Sequence, residues 1–291
     1  MQSMGFWKEL WKLTRFEHAI MLSLAVFIAI VIVSGGLPPD CPCLILALLV
    51  PAFSEMGSFA LNDYFDRKTD RLNKRMDRPL VKGTIKPEFA YWFSLFCLFA
   101  SALMAYFINT YAFAIAVLFN VFAVWYNWKL KDMPLVGNVY IGTTMAIPFI
   151  FGNFAISSHL SMIALSLAFL GFVAGLAREI VKSVEDMEGD VKARKSRTLP
   201  VVIGERPALL IAAFLYLLFI PLTLMPAAYG LELGILPLLL VLAADAGILS
   251  IAVRLVAMKK HDKRKVLKAA RKQSLAFLFL GLAGLLLASL L

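Results

Sequence analysis

The segment CLILALLVPAFSEMGSFALNDYFDRKTD, which runs from Cys43 to Asp70, joins a long apolar run to a dense acidic end. Its apolar part, up to Leu61, contains a single charged residue, Glu55, whereas the nine residues that follow contain five. A helix needs about 20 mainly apolar residues to cross a bilayer. The segment therefore predicts a membrane-spanning helix that ends where a group of carboxylates begins.

The composition of the whole chain supports a membrane protein. Of its 291 residues, 61% are hydrophobic and 16% are charged, with a mean hydropathy of +0.81. Soluble domains average about 45–50% apolar and about 25% charged residues. We therefore predict an all-α, polytopic membrane protein with nine transmembrane helices. The predicted spans are 16–36, 43–62, 88–108, 111–128, 134–154, 160–181, 207–229, 233–257 and 273–291.

Lysine and arginine are distributed in a way that predicts the topology. All 29 fall in five clusters, which alternate with connecting segments that contain none. Because cytoplasmic loops are enriched in these residues, the pattern predicts a cytoplasmic N-terminus and an odd number of spans. The net charge of +10 favours attraction to anionic membrane lipids. Nucleic acid is not an expected partner, since no basic patch interleaved with aromatic residues is present.

Acidic residues concentrate in two of the predicted cytoplasmic segments, with four of the 19 within 63–77 and five within 179–190. Both segments repeat one spacing, in which side chains four residues apart share a helix face if the helix continues past its apolar run. These side chains are Asn62, Asp66 and Asp70 in the first segment and Asp186 and Asp190 in the second. The repeat predicts a single domain, 1–291, with two related halves, about 1–130 and 131–291.

Two sets of like charges at a membrane surface require a counter-charge. Carboxylate oxygens suit Mg²⁺, which commonly binds one or two carboxylates together with the phosphates of a substrate. An alternative is that the charged residues are only solvated and direct the membrane topology. This alternative would explain most of the lysines and arginines, but it would not explain the repeated spacing of the acidic residues. The two segments are therefore predicted to form a metal-dependent cradle for a diphosphate.

Other polar residues allow more than one interpretation. Glu55 and Asp245 lie within predicted spans, where an ionisable group is costly and marks either a functional site or a paired one. Tyr140 fits either an aromatic belt at the membrane interface or a cavity wall that stabilises a cation. Cys41 and Cys43, in a short outer loop, are expected to be free thiols.

These motifs resemble those of a known family. NDYFDRKTD, from Asn62 to Asp70, resembles the NDxxDxxxD motif of the UbiA superfamily of intramembrane prenyltransferases, and DMEGD, ending at Asp190, resembles its second DxxxD motif. The likeness extends over essentially the whole chain. REIVKSVEDMEGD and the following RTLP look most like archaeal digeranylgeranylglyceryl phosphate synthases, although Ser183 replaces a common Asp. The opening TRFEH looks more like the quinone-pathway members.

The resemblance implies an all-α bundle of nine transmembrane helices around a central cavity. It also implies an Mg²⁺-dependent transfer of a prenyl group, with two metal ions, from a prenyl diphosphate to a lipophilic acceptor. The implied donor carries a geranylgeranyl group and the implied acceptor is geranylgeranylglyceryl phosphate. The two acidic sets would hold the metals, with Asp63 and Glu55 behind them. The implied substrate-binding residues are Arg78, Lys129 and Lys182 for the leaving diphosphate, Arg15 for the acceptor phosphate, and Tyr140 for the cavity.

Alternative functions remain at this point. An aromatic-acid prenyltransferase would use the same metal site with a different acceptor. A secondary transporter could use Glu55 and Asp245 as coupling-ion sites near the bilayer midplane. The pattern of a CDP-alcohol phosphotransferase is absent from the sequence, and soluble prenyl synthases lack nine spans.

Overall fold

A computed structural model describes residues 2–38, 43–72, 75–194 and 198–291 of the chain. The side chains at positions 2–4, 188–194 and 260 are outside this description. Within these ranges all regular secondary structure is helical. The predicted all-α class is therefore confirmed.

Nine helices of the described chain are long and apolar enough to cross a membrane, which confirms the predicted number of spans. The helices that begin at Cys43, Met162 and Lys263 extend beyond their predicted spans into polar segments. The helix that begins at Glu205 ends at Leu222, before the predicted 229, and the other bounds agree within two residues. These helices are α2 (Phe16–Ser34), α3 (Cys43–Leu72), α5 (Pro87–Tyr106), α6 (Thr110–Trp128), α7 (Val136–Ile156), α8 (Met162–Arg194), α10 (Glu205–Leu222), α12 (Ile235–Ala257) and α13 (Lys263–Leu290). Four shorter helices are α1 (Gln2–Thr14), α4 (Pro79–Lys82), α9 (Leu199–Ile203) and α11 (Met225–Ala228).

The chain forms two compact units, which are described separately. The first unit comprises Met1–Phe27, Asp40–Lys131 and Phe154–Ser158. The second comprises Ile28–Pro39, Asp132–Asn153 and His159–Leu291. The first acidic motif belongs to the first unit and the second motif to the second unit.

In the first unit, α3 packs closely against α5 because Gly57 has no side chain. A Cβ atom at this position would lie 3.0 Å from the backbone oxygen of Ser94 and from the Cγ of Leu98. Small residues allow helix backbones to approach each other in membranes, where no hydrophobic force acts between helices. Asn120 of α6 strengthens this packing, since its Nδ2 donates to the oxygen of Leu98 at 2.9 Å and its Oδ1 accepts from Ser54 at 2.6 Å.

In the second unit, glycines also determine how closely the helices pack. A Cβ atom at Gly171 of α8 would collide with the backbone oxygen of Met145 in α7. A Cβ atom at Gly247 of α12 would collide with the ring of Phe277 in α13. The core between these helices is apolar and includes the fully buried Tyr216 of α10.

The two motif-bearing helices continue beyond their apolar runs. Helix α3 extends to Leu72, eleven residues past Leu61, and α8 extends to Arg194. The polar motif residues are therefore helical, as the predicted shared helix face required, because residues four apart in a helix lie on one face.

One expectation about the outer loop is wrong. Cys43, at the start of α3, is disulfide-bonded rather than a free thiol. Cys41 lies outside the described residues. Cys97, within α5, is a buried free thiol.

Candidate active site

The end of α3 in the first unit carries a set of buried polar side chains. Asn62 donates from Nδ2 to the Oδ1 of Asn127 in α6 at 2.9 Å. Asn127 in turn donates to the backbone oxygens of Ala123 and Ser58, at 2.9 and 3.3 Å. These bonds fix the orientation of the Asn62 amide, so that its Oδ1 is the atom that could bind a metal ion.

Asp66 and Asp70 follow on successive turns of the same helix. Both are buried, with 8% and 4% of their surface exposed. The ammonium group of Lys131 forms an ion pair with Oδ1 of Asp66. The guanidinium of Arg75 lies 3.9 Å from Oδ1 of Asp70. Both carboxylates therefore already attract cations, as the ligands of a metal ion must.

Asp63 is held differently from its neighbours in the motif. Its Oδ1 accepts from Arg78 at 2.5 Å and from Arg15 at 3.2 Å. The side chain is almost fully buried, with 1% exposed. Asp63 therefore pairs with arginines rather than joining Asp66 and Asp70.

Arg15 lies at the junction of α1 and α2, with a backbone φ of 44°. This left-handed conformation is unfavourable for residues other than glycine and is maintained only by surrounding contacts. Its guanidinium lies 4.1 Å from the centre of the Phe59 ring as well as against Asp63. Burial and the positive charge of Arg78 lower the pKa of Arg15, and the carboxylates of Asp63 and Glu55 oppose this shift.

The second motif lies in the second unit, on the polar extension of α8. Asp186 is exposed there, and the side chain of Asp190 is outside the described residues. Lys182 pairs with Glu179 one turn away, at 3.2 Å. Ser183, which replaces a common Asp, accepts a hydrogen bond from Asn138 of α7 at 2.7 Å. This segment of α8 is thus anchored to α7 just before Asp186.

The remaining predicted residues have distinct environments. Lys129 is exposed at the end of α6, and Tyr140 is half-buried on α7. Glu55 is half-buried in α3 and interacts electrostatically with Arg15. Asp245 is buried in α12, where its Oδ2 accepts a hydrogen bond from Thr223 Oγ1 at 2.9 Å.

Two residues of the site were missed in the sequence. Lys131 was passed over in favour of Lys129, because only the 3₁₀ turn Leu130–Asp132 brings Lys131 back to Asp66. Asn127 had a usable signal, since it lies two helical turns after Asn120 in an otherwise apolar helix. Both asparagines bond to α3.

The donor set fits a divalent cation that also binds a substrate. Two buried carboxylates and one amide offer oxygen ligands, which Mg²⁺ prefers. These ligands are too few to complete the coordination of Mg²⁺ by themselves. Among the described side chains, no group of three His, Cys, Asp or Glu residues converges on one point. Any metal bound here would need water or a substrate to complete its ligands.

A bundle of apolar helices that carries buried carboxylates and arginines at one helix end defines a multi-pass membrane protein with a polar site for a charged group. Comparison with known sequences then gives the family. Residues 22–282 match the UbiA prenyltransferase family, so the chain belongs to this family and is a prenyltransferase.

Curated relatives cover nearly the whole chain. The digeranylgeranylglyceryl phosphate synthase of Archaeoglobus fulgidus is 36% identical over 283 residues, which are 95% of this chain and 94% of that protein. The Thermococcus kodakarensis protein of the same name is 31% identical, over 96% of this chain and 97% of the relative.

Solved structures share the fold. One is described as giving "structural and mechanistic insights into the biosynthesis of Digeranylgeranylglyceryl phosphate synthase in membranes". It superposes with a TM-score of 0.80 at 29% identity, covering 98% of this chain and 99% of that one. A UbiA homologue from Archaeoglobus fulgidus, solved with GPP and Mg²⁺, has a TM-score of 0.67 at 21% identity and covers 95% and 99% of the two chains.

Proposed function

We propose that this prenyltransferase moves a geranylgeranyl group from its diphosphate to geranylgeranylglyceryl phosphate, a step of archaeal ether-lipid synthesis. The observation that carries the proposal is the near full-length similarity to relatives named digeranylgeranylglyceryl phosphate synthase. The aligned region covers 95% or more of this chain and so includes both acidic motifs. The aromatic-acid alternative shares the metal site and differs only in its acceptor.

Mg²⁺ is the metal that the site fits. Asn62, Asp66 and Asp70 would hold one ion, and Asp186 and Asp190 a second. A distant homologue was solved with both Mg²⁺ and a prenyl diphosphate, which supports the pairing of metal and donor. When bound, Mg²⁺ stabilises the negative charge that develops on a leaving diphosphate.

The protein's own residues would assist this chemistry. Lys131 and Arg78, which are both mostly buried, place positive charge beside the acidic end of α3. Fixed charges aimed at developing negative charge are a major source of catalysis. The apolar helices around the site would exclude water from an allylic cation. The dense lysines and arginines at this end of α3 support a site near the cytoplasmic face.

The metal assignment is tested by replacing Asp66 with Asn, which keeps the side chain's size and removes its charge. We expect Mg²⁺-dependent transfer to fall at least about 100-fold, the usual order for loss of a key electrostatic contact. The matched control is Asp77→Asn, at an exposed position between α3 and α4, which should keep normal turnover. Near-normal turnover of Asp66→Asn in a correctly inserted protein would refute the assignment.

A further inference from the structure

Asp63 lies inside the first acidic motif but holds two arginines from separate segments. Arg15 comes from the junction of α1 and α2, and Arg78 is the residue that precedes α4. Both donate to the same oxygen, Oδ1, at 3.2 and 2.5 Å. One carboxylate therefore fixes two cationic side chains whose backbones are far apart in sequence.

The hydrogen bonds of this cluster do not use every polar atom of the three side chains. Two guanidinium groups face one carboxylate, and their side chains are only 23% and 14% exposed. Buried charge without a full set of partners is unfavourable. Within the described chain, the Nε–H of Arg78 and the Oδ2 of Asp63 are buried without hydrogen-bond partners. The unused donor of Arg78, on a guanidinium that shares its partner with Arg15, suits an anion.

Both arginines are also constrained by the backbone. Arg15 has the left-handed φ of 44°, and its guanidinium stacks over Phe59 at 4.1 Å. Arg78 is extended and followed by Pro79, whose ring fixes the start of α4. Little conformational entropy would then be lost when the pair binds a ligand, because its members are already ordered.

We propose that Asp63 is a positioning residue, which holds Arg15 and Arg78 as a fixed pair of cations that binds one phosphate group of a substrate. Asp63 itself touches neither metal nor phosphate, since its charge would repel the anion. The phosphate belongs either to the donor diphosphate or to the acceptor. This inference rests on the proposed function, and its experiment separates the two sources.

The experiment compares Asp63→Asn with the wild-type enzyme in steady-state kinetics, with each substrate varied in turn. We expect KM for one phosphate-bearing substrate to rise about tenfold, equivalent to about 1.4 kcal/mol. KM for the other substrate should change by less than about twofold, and the substrate affected identifies the source of the phosphate. The double variant Asp63→Asn/Arg78→Ala should have a KM for the affected substrate only slightly above that of Arg78→Ala alone. The reason is that the effects of substitutions at interacting residues are not additive.

Arg78→Lys provides a second variant in case Asp63→Asn folds poorly. It retains the charge but loses the fork geometry of the guanidinium, so KM for the same substrate should again rise. A purely structural role for Asp63 would lower the thermal midpoint and kcat while leaving both KM values unchanged. That result, or full additivity of the double variant, would overturn the proposal.

A binding measurement separates this inference from the proposed function. Inorganic diphosphate and glycerol phosphate are titrated into the purified protein without Mg²⁺, using wild type and Asp63→Asn. We expect wild type to bind at least one of them about tenfold more tightly than the variant does. Equal affinity would refute the positioning role, even if prenyl transfer were confirmed. If transfer failed but the difference in binding held, only the proposed function would be wrong.

Discussion

The ammonium group of Lys131 forms an ion pair with the carboxylate of Asp66, and both side chains are mostly buried, with 9% and 11% exposed. Lys131 therefore supplies a positive charge to a side chain that we propose as a metal ligand. Helix α6 ends at Trp128, and the short turn that follows directs Lys131 toward α3. If Asp66 binds a metal ion as we propose, Lys131 competes with the metal for this carboxylate and can neutralise phosphate once the metal displaces it.

Replacing Lys131 with Met should strengthen metal binding and weaken donor binding. Without the competing ammonium, the Mg²⁺ concentration for half-maximal activity should fall roughly fivefold, or about 1 kcal/mol. KM for the prenyl diphosphate should rise. Calorimetric titration with Mg²⁺ alone measures the first effect, and Lys129→Met, on an exposed neighbour, should show neither. A higher Mg²⁺ requirement in Lys131→Met would show that the lysine supports the metal instead.

Asp245 should have a structural role within the membrane. The hydroxyl of Thr223 donates to Oδ2 of Asp245 at 2.9 Å and lies 2.7 Å from the oxygen of Ile220. The bond joins the end of α10 to α12. An ionisable residue in a bilayer is costly and needs such a partner.

Asp245→Asn should therefore retain both activity and thermal stability, since its amide oxygen can accept the same bond. Asp245→Val loses the bond and should lower the thermal midpoint by about 2 °C, given about 0.6 kcal/mol for such bonds in membranes. Turnover and thermal midpoints of both variants in detergent check this prediction. Loss of turnover in Asp245→Asn would indicate a functional charge.

Gly171→Ala should destabilise the second unit. Its Cβ would meet the backbone oxygen of Met145 and lie 3.0 Å from that residue's carbonyl carbon, so one helix must shift. Overpacking of this kind costs about 1–3 kcal/mol, which corresponds to a midpoint lower by roughly 5 °C. Gly5→Ala, where nothing lies within 4 Å of the new atom, should leave the midpoint unchanged or raise it. Equal midpoints for both variants would contradict the close packing of α7 and α8.

Glu9 should make the attachment of α1 dependent on pH. Its hydrogen bond from Lys12 at 2.9 Å, with a further bond from Thr84, lowers the pKa of Glu9 below its ordinary value of 4.5. Because the pKa of Glu9 is lower in the folded state than in the unfolded state, Glu9 stabilises the fold above the unfolded-state pKa. This contribution is lost as the pH falls through the folded-state pKa.

Glu9→Gln should thus lower the thermal midpoint at pH 7, and the difference from wild type should shrink as pH falls below 4.5. Midpoints measured from pH 7 downward, with the exposed Glu88→Gln as control, test this. A difference between Glu9→Gln and wild type that stayed constant with pH would mean that Glu9 contributes no charge-dependent stability.

The sequence was informative where one physical requirement dominates. Hydrophobic length determines a span, so the nine apolar helices were predictable. Spacing of four residues determines a helix face, so Asp66 and Asp70 could be grouped once α3 continued past Leu61. The identity of the cation beside Asp66 was not predictable, because it depends on a three-residue turn. The family resemblance implied a place for Asp63 behind the metal ligands, and only tertiary contacts show its pairing with Arg15 and Arg78.

The acceptor is the central question, and a competition assay answers it directly. The purified enzyme is incubated with geranylgeranyl diphosphate, Mg²⁺, and equal amounts of geranylgeranylglyceryl phosphate and an aromatic acid, and the products are separated by mass. We expect digeranylgeranylglyceryl phosphate as the dominant product, lost on removal of Mg²⁺. Prenylation of the aromatic acid alone would contradict the proposed function.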